Sequence, residues 1–118
     1  MNGLLHLGHA FTMTKCDFYA WYKRLCGFNV LFPFGFHCTG MPISAAAKKL
    51  KMEFDEYGNP PNFPVDGEGK KKKGQYNILE QMNISQQEIP KFTDPVYWVR
   101  YFPPLGRQHL KRYGTHID

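Results

Sequence analysis

Asn29-Val30-Leu31-Phe32 is a short apolar run with a β-branched residue, and Pro33 ends it. A run of that length and composition, bounded by Gly27 and a proline, reads as a buried strand of the parallel type. On its N-terminal side, Leu7, Phe11, Thr14, Phe18, Tyr22 and Leu25 recur in steps of three and four. That spacing predicts a helix beginning near His6 with these residues on one stripe, Thr14 being its weak member. Lys23 and Arg24 fall in the last turn, and Gly27 supplies the stop. On the C-terminal side, residues 35–42 should form a loop and residues 44–57 a second helix rich in Ala and Lys. One buried strand cannot satisfy its backbone donors and acceptors alone, and no strand fits ahead of the first helix. The expectation is an incomplete α/β unit, read as a fragment.

Residues 58–74 change composition to Gly, Pro, Asn and the block Lys70-Lys71-Lys72-Lys73, so an exposed, flexible insertion is expected. A lysine block between glycines is more often a solvated loop than a binding device. A helical stretch resumes over residues 76–82, and Ser85-Gln86-Gln87-Glu88 fits a capping box opening a short helix. Thr93 or Asp94 caps a helix with Pro95 in its first turn, running to about Tyr101. Pro103 and Pro104 open a last helix ending at Gly114. The chain thus divides into 1–57, an insertion over 58–74, and a helical continuation over 75–118.

With 118 residues, the chain is one small domain or a piece of a larger one. Its 42% hydrophobic and 21% charged residues lie near globular averages, which argues against wholesale disorder, and 16% aromatics suit a packed interior. No apolar run approaches the roughly 18 residues of a membrane span, so no membrane segment is expected. The first fifteen residues lack a basic n-region and are not expected to be a signal peptide. Fifteen Lys and Arg against ten Asp and Glu leave +5, which favours polyanionic partners such as nucleotides, RNA or acidic membranes. Cys16, Cys26 and Cys38 are odd in number and lack C-x-x-C spacing, which argues against a disulfide framework or structural zinc. A reducing, intracellular compartment is the easier reading.

Two segments are candidates for chemistry. In Asn2-Gly3-Leu4-Leu5-His6-Leu7-Gly8-His9, two histidines three residues apart lie on one face of a helix's first turn. Unpaired N–H groups and the positive dipole end attract an anion there, and a phosphate fits. Gly8 removes a side chain between the rings, so a flat ligand can approach. An imidazole donates to phosphoryl oxygens as they gain charge in a transition state. From spacing alone, two surface histidines on a helix that happens to contain glycine are the favoured reading, since H-x-G-H is only four positions long. The second segment is Phe36-His37-Cys38-Thr39-Gly40-Met41-Pro42-Ile43, which follows the expected strand. Loops at strand C-termini are where open α/β sheets bind ligands. His37 would hydrogen-bond a polar substrate group; the plainer reading is a turn with a satisfied histidine and a buried Cys38. His6, His9, His37 and Cys38 lack the closely spaced pairs of a zinc site, so no metal is expected.

Together the two segments carry a resemblance. Asn2 to His9 resembles the HIGH-type motif of class I aminoacyl-tRNA synthetases, with His6-Leu7-Gly8-His9 as the motif itself. Phe32-Pro33-Phe34-Gly35-Phe36-His37-Cys38-Thr39-Gly40-Met41-Pro42-Ile43 is similar to the stretch that follows in the leucyl branch of eukaryotic cytosolic type. Tyr97-Trp98-Val99-Arg100-Tyr101-Phe102-Pro103-Pro104-Leu105 and Leu110-Lys111-Arg112-Tyr113-Gly114 are similar to that branch's next segment. The resemblance covers nearly the whole chain, interrupted mainly over 58–74. It implies an α/β fold: an incomplete Rossmann-type nucleotide-binding unit, helix–strand–helix plus extra helices, with its first strand and second half missing. It implies leucine–tRNA ligation in the cytoplasm, with ATP as substrate, Mg2+, leucine, tRNA(Leu) and the remainder of a synthetase polypeptide as partners. By the same resemblance, His6 and His9 contact ATP and stabilise the phosphoryl transition state, Gly8 lies under the adenine, and His37 reads leucine's amino group. No lysine receives a tRNA role.

The family's aromatic, proline-containing strand end before Asn-Gly has no counterpart in this sequence. Neither have its Trp-Arg-Arg continuation, editing domain, K-M-S-K-S loop and anticodon-binding helices. Catalysis needs groups on both sides of the nucleotide. The 118 residues alone are therefore expected neither to charge tRNA nor to exchange pyrophosphate with ATP. A ligase for valine, isoleucine or methionine is the close alternative, and residues 36–43 argue against it. A short non-catalytic nucleotide- or RNA-binding module is the alternative from another class, and exposed strand edges would make it hard to stabilise as a monomer.

Overall fold

The computed structural model describes residues 3–38, 40–65 and 74–118. The lysine block and the positions of Asn2 and Thr39 lie outside them. In order come α1 (Leu7–Leu25), α2 (Met41–Tyr57), α3 (Gln75–Gln81), a 3₁₀ helix (Ile89–Thr93) and α4 (Pro95–Tyr113).

The core joins α2, α3, the 3₁₀ helix and the first half of α4. Ile43, Ala47 and Leu50 bury one face of α2 against Leu79, Ile84, Ile89 and Phe92. Phe92 sits inside a ring of aromatics, with Tyr97, Tyr101, Trp98 and Phe102 centred 4.9, 5.1, 5.2 and 5.7 Å away. The Trp98 indole N–H donates to the Phe92 carbonyl at 2.6 Å, so its polar atom is not stranded in the interior.

A buried carboxylate closes the base of the insertion. Glu53, near the end of α2, accepts from the backbone N–H groups of Gln75 at 2.7 Å and Tyr76 at 3.0 Å, which satisfies two orphan donors of α3. Only glycine fits at position 74, where a Cβ would stand 2.5 Å from the Phe63 ring and 2.7 Å from the Glu53 carboxyl. Phe63 is itself buried in the core. The insertion expected to be wholly exposed is therefore anchored at residue 63.

Three other expectations change. The described residues are helical and contain no β-strand. Residues 28–36 form no regular secondary structure, and Leu31 is 78% exposed rather than buried. The α/β, Rossmann-type arrangement is thus not formed among the described residues. Its strand lacks sheet neighbours there, and the pairing that it does make is to the tail: the Asp118 N–H donates to the Phe32 carbonyl at 3.1 Å, while the Phe32 N–H donates to the Asp118 carboxylate. The box expected at Ser85 is also absent. The Ser85 carbonyl accepts from Glu88 and Ile89 at 2.8 and 3.1 Å, and the Glu88 carboxylate accepts from the Tyr97 hydroxyl at 2.6 Å. Finally, α4 runs unbroken through Pro103 and Pro104. An interior proline costs on the order of 3 kcal/mol. Trp98, Phe102, Gly106 and Leu110, spaced by four, keep one face buried across the break, and Asp94 caps the start by accepting from Val96 N–H at 2.9 Å.

α1 begins and ends near its expected bounds, but its apolar stripe faces solvent. Leu7 is 85%, Phe11 65%, Phe18 68% and Leu25 80% exposed. The radius of gyration, 18.6 Å, exceeds the roughly 13.5 Å of a compact chain of this length. What ties α1 down is polar. Thr14 and Tyr113 share a 2.6 Å hydroxyl hydrogen bond, and the buried Asp17 carboxylate accepts from His116 N–H at 3.0 Å. Arg24 donates to both Asp118 oxygens at 2.9 Å and to the Val30 carbonyl at 3.1 Å.

Two predictions follow from these contacts. Trp98→Ala is expected to cost about 3–5 kcal/mol in urea unfolding, whereas Leu25→Ala on the exposed stripe is expected to stay within about 0.5 kcal/mol. Equal losses would contradict this core. Donation to Glu88, with some burial and the repulsion of its charge, pushes the Tyr97 phenol up to about 12. Because the folded value lies above the ordinary 10, its contribution to stability is fully present below pH 10 and lost as pH rises toward 12. Titration of phenolate absorbance should show Glu88→Gln lowering that midpoint.

Candidate active site

His6 and His9 hold the start of α1 by capping it with their own rings. His6 lies in extended backbone as the N-cap, and its Nδ1 accepts from Gly8 N–H at 3.1 Å. In return, the His6 N–H donates to His9 Nδ1 at 3.2 Å. This is a capping box in which imidazoles replace the usual hydroxyl and carboxylate. An Nδ1 that accepts carries no proton, so each neutral ring is protonated at Nε2. The rings lie 4.1 Å apart, tilted by 50°, and both residues are exposed. The chemistry available is therefore two Nε2–H donors at a helix N-terminus.

Gly8 has a role that spacing alone does not reveal. A Cβ there would meet His6 Cε1 at 3.0 Å and Nδ1 at 3.2 Å, so a side chain would make the His6 ring shift by a few tenths of an ångström from its place over the first turn.

The imidazole pair separates two cavities. One, of about 620 Å³, is lined by His6, His9 and His37 together with Phe34, Phe36 and Gln75. The other, of about 530 Å³, is lined by His6, Gly8 and His9 on one side and His109, Leu110 and Tyr113 on the other. All four residues expected at the site, His6, Gly8, His9 and His37, thus line one or both cavities. His109 and Tyr113 were not expected there. The available signal was Thr14, the polar member of an apolar stripe, whose hydroxyl brings Tyr113 to α1.

No carboxylate lines either cavity, and the described residues include no group of three or more His, Cys, Asp or Glu placed to share an ion. Mg2+ takes oxygen ligands, often one or two carboxylates with substrate phosphates. The residues at these cavities do not supply them. Cys16, Cys26 and Cys38 are free thiols, and Cys38 is half-buried rather than buried.

Gly8→Ala tests the cap. Replacing glycine inside a helix contributes roughly 0.5–1 kcal/mol, and losing a side-chain N-cap costs about 1 kcal/mol. Stability should change by less than about 1 kcal/mol. Nitrogen NMR of the imidazoles should nonetheless show His6 leaving its single tautomer. An unchanged His6 spectrum would show that its ring does not depend on Gly8.

A family model for class I (M) tRNA synthetases matches residues 1–87. Over its whole length the chain is 43% identical to the cytoplasmic leucine–tRNA ligase of Pongo abelii and 39% identical to that of Saccharomyces cerevisiae. It is 50% identical to a probable cytoplasmic leucine–tRNA ligase of Encephalitozoon cuniculi. The chain spans only 12%, 14% and 12% of those three proteins. The match that begins before the capping histidines and runs on past α3 covers most of the sequence, and the chain belongs to the class I (M) tRNA synthetase family.

Proposed function

We propose that this chain forms part of the synthetic site of a cytoplasmic leucine–tRNA ligase. The observation that carries the reading is the convergence of His6, His9 and His37 on one cavity, with Gly8 and the same imidazole pair facing a second. Adenine lies over Gly8 in the cavity shared with α4, and leucine lies beside His37 in the other. The α-phosphate sits between them at the two rings. Leucine's carboxylate oxygen attacks the α-phosphorus, the bond to the β-phosphate oxygen breaks, and pyrophosphate leaves with that electron pair. The Nε2–H groups of His6 and His9 donate to the phosphoryl oxygens as their charge grows, with the N-terminal dipole of α1 adding to the stabilisation. His37 orients leucine's amino group. The ribose hydroxyl at the tRNA 3′ end then attacks the leucyl carbonyl carbon, the bond from that carbon to the phosphate oxygen breaks, and AMP leaves with the electron pair while the hydroxyl proton is released. The names of the relatives support leucine and tRNA as the substrates.

The experiment is amino-acid-dependent exchange of pyrophosphate into ATP, run on the complete polypeptide that carries these residues. Leucine should drive it, and His9→Ala should slow it about 10²–10³-fold, the typical effect of removing one transition-state donor. The 118 residues alone should give no exchange. Preference for another amino acid, or full activity in His9→Ala, would refute the assignment.

A further inference from the structure

α4 carries Arg100, Arg107, Lys111 and Arg112 and no acidic residue. Steps of seven and four between the first three place them within about 40° of one another on a helix of 3.6 residues per turn. These three side chains are exposed, and among the described residues none is engaged in an ion pair or hydrogen bond. Arg107 and Lys111 flank a cleft of about 520 Å³ whose remaining walls are Pro103, Pro104, Gln108 and Phe36. The Phe36 ring is held edge-on by Phe34 at 5.0 Å, and it also lines the cavity of His37. One aromatic ring therefore stands between a basic cleft and the candidate active site.

We propose that this cleft and its basic stripe hold the phosphodiester backbone of an RNA close to its 3′ end. Phe36 then offers a stacking surface from which the terminal nucleotide enters the cavity at His37. The inference rests on the leucine–tRNA ligase reading, which requires a 3′ end to reach that cavity. Guanidinium and ammonium groups with no protein carboxylate to neutralise them are complementary to phosphate, and the Arg107 fork suits it bidentately. Cations beside an aromatic platform form the recognition pair for single-stranded nucleic acid. An acidic membrane fits less well. Its binding needs apolar side chains flanking the cations and entering the acyl boundary, and prolines, Gln108 and one shared ring line this cleft instead.

The test uses the complete polypeptide and its Arg107→Ala/Lys111→Ala variant, with deacylated tRNA(Leu) and phosphatidylserine vesicles as probes. The variant should bind the tRNA at least tenfold more weakly. The slope of log affinity against log salt should flatten by about 1.4, two single-strand phosphate contacts' worth. Leucine-dependent exchange without tRNA should stay within twofold, and Arg107→Lys/Lys111→Arg should restore most of the RNA affinity. Unchanged tRNA binding and salt slope, with exchange intact, would overturn this surface while leaving the ligase reading in place. Loss of vesicle binding with tRNA binding unchanged would overturn it in favour of a membrane. A wild-type polypeptide without leucine-dependent exchange, whose tRNA binding still depends on the pair, would refute the ligase reading and retain the surface.

Discussion

Polar bonds, rather than apolar burial, hold α1 against the rest of the molecule. Thr14, Asp17 and Arg24 face Tyr113, His116 and Asp118, so one edge of the first helix is fastened to the last six residues of the chain. Each neutral hydrogen bond contributes about 0.5–1.5 kcal/mol net, and an exposed ion pair about 0–1 kcal/mol. Together they amount to a few kcal/mol, concentrated at Arg24, which reaches Asp118, Val30 and His116 at once. The position of the capping histidines relative to α4 depends on this clasp. His109 and Tyr113 line a cavity with His6 only because the tail returns to α1.

The apolar stripe beside this clasp, of which Thr14 is the polar member, explains the elongated outline. Leu7, Phe11, Phe18 and Leu25 form one continuous apolar stripe, and Phe28 and Leu31 in the following segment are exposed as well. Burial is worth about 25 cal/mol per Å², and on this face that gain is not collected. The core beyond α1 behaves oppositely. Its six largest fully buried side chains are Trp98, Phe92, Phe102, Leu50, Leu79 and Ile89, none of which belongs to α1. The chain therefore has one conventionally packed body and one helix whose register is set by directional bonds.

What could be read in advance follows the range of the interactions. Helix bounds are local matters of spacing, caps and stops, and α1, α3 and the end of α4 at Gly114 fall where those signals place them. Pro103-Pro104 misleads, because proline punctuation is a local rule and the buried positions at Trp98, Phe102 and Leu110 act over about three turns. Asn29–Phe32 misleads for a related reason: its composition is that of a strand, but strand formation requires a neighbour that composition cannot supply. The burial of Phe63 was not legible, because it depends on Gly74 leaving room beside Glu53. At the site, His6, Gly8, His9 and His37 could be named from two short motifs. His109 could not, since only the fold brings α4 to the first turn of α1.

The capping arrangement limits what the imidazole pair can be. Each ring is held through its Nδ1, which accepts a backbone N–H from Gly8 in His6 and from His6 in His9, and the Nε2 atoms take no part in the cap. In the proposed reaction, a growing negative charge on a phosphoryl oxygen would meet donors already oriented by the helix that they start. The neighbouring residue is drawn into the same device, because a side chain at Gly8 would shift the ring that completes the cap. In H-x-G-H the glycine and both histidines thus act as one unit, which is why a four-residue pattern with little information of its own specifies a geometry.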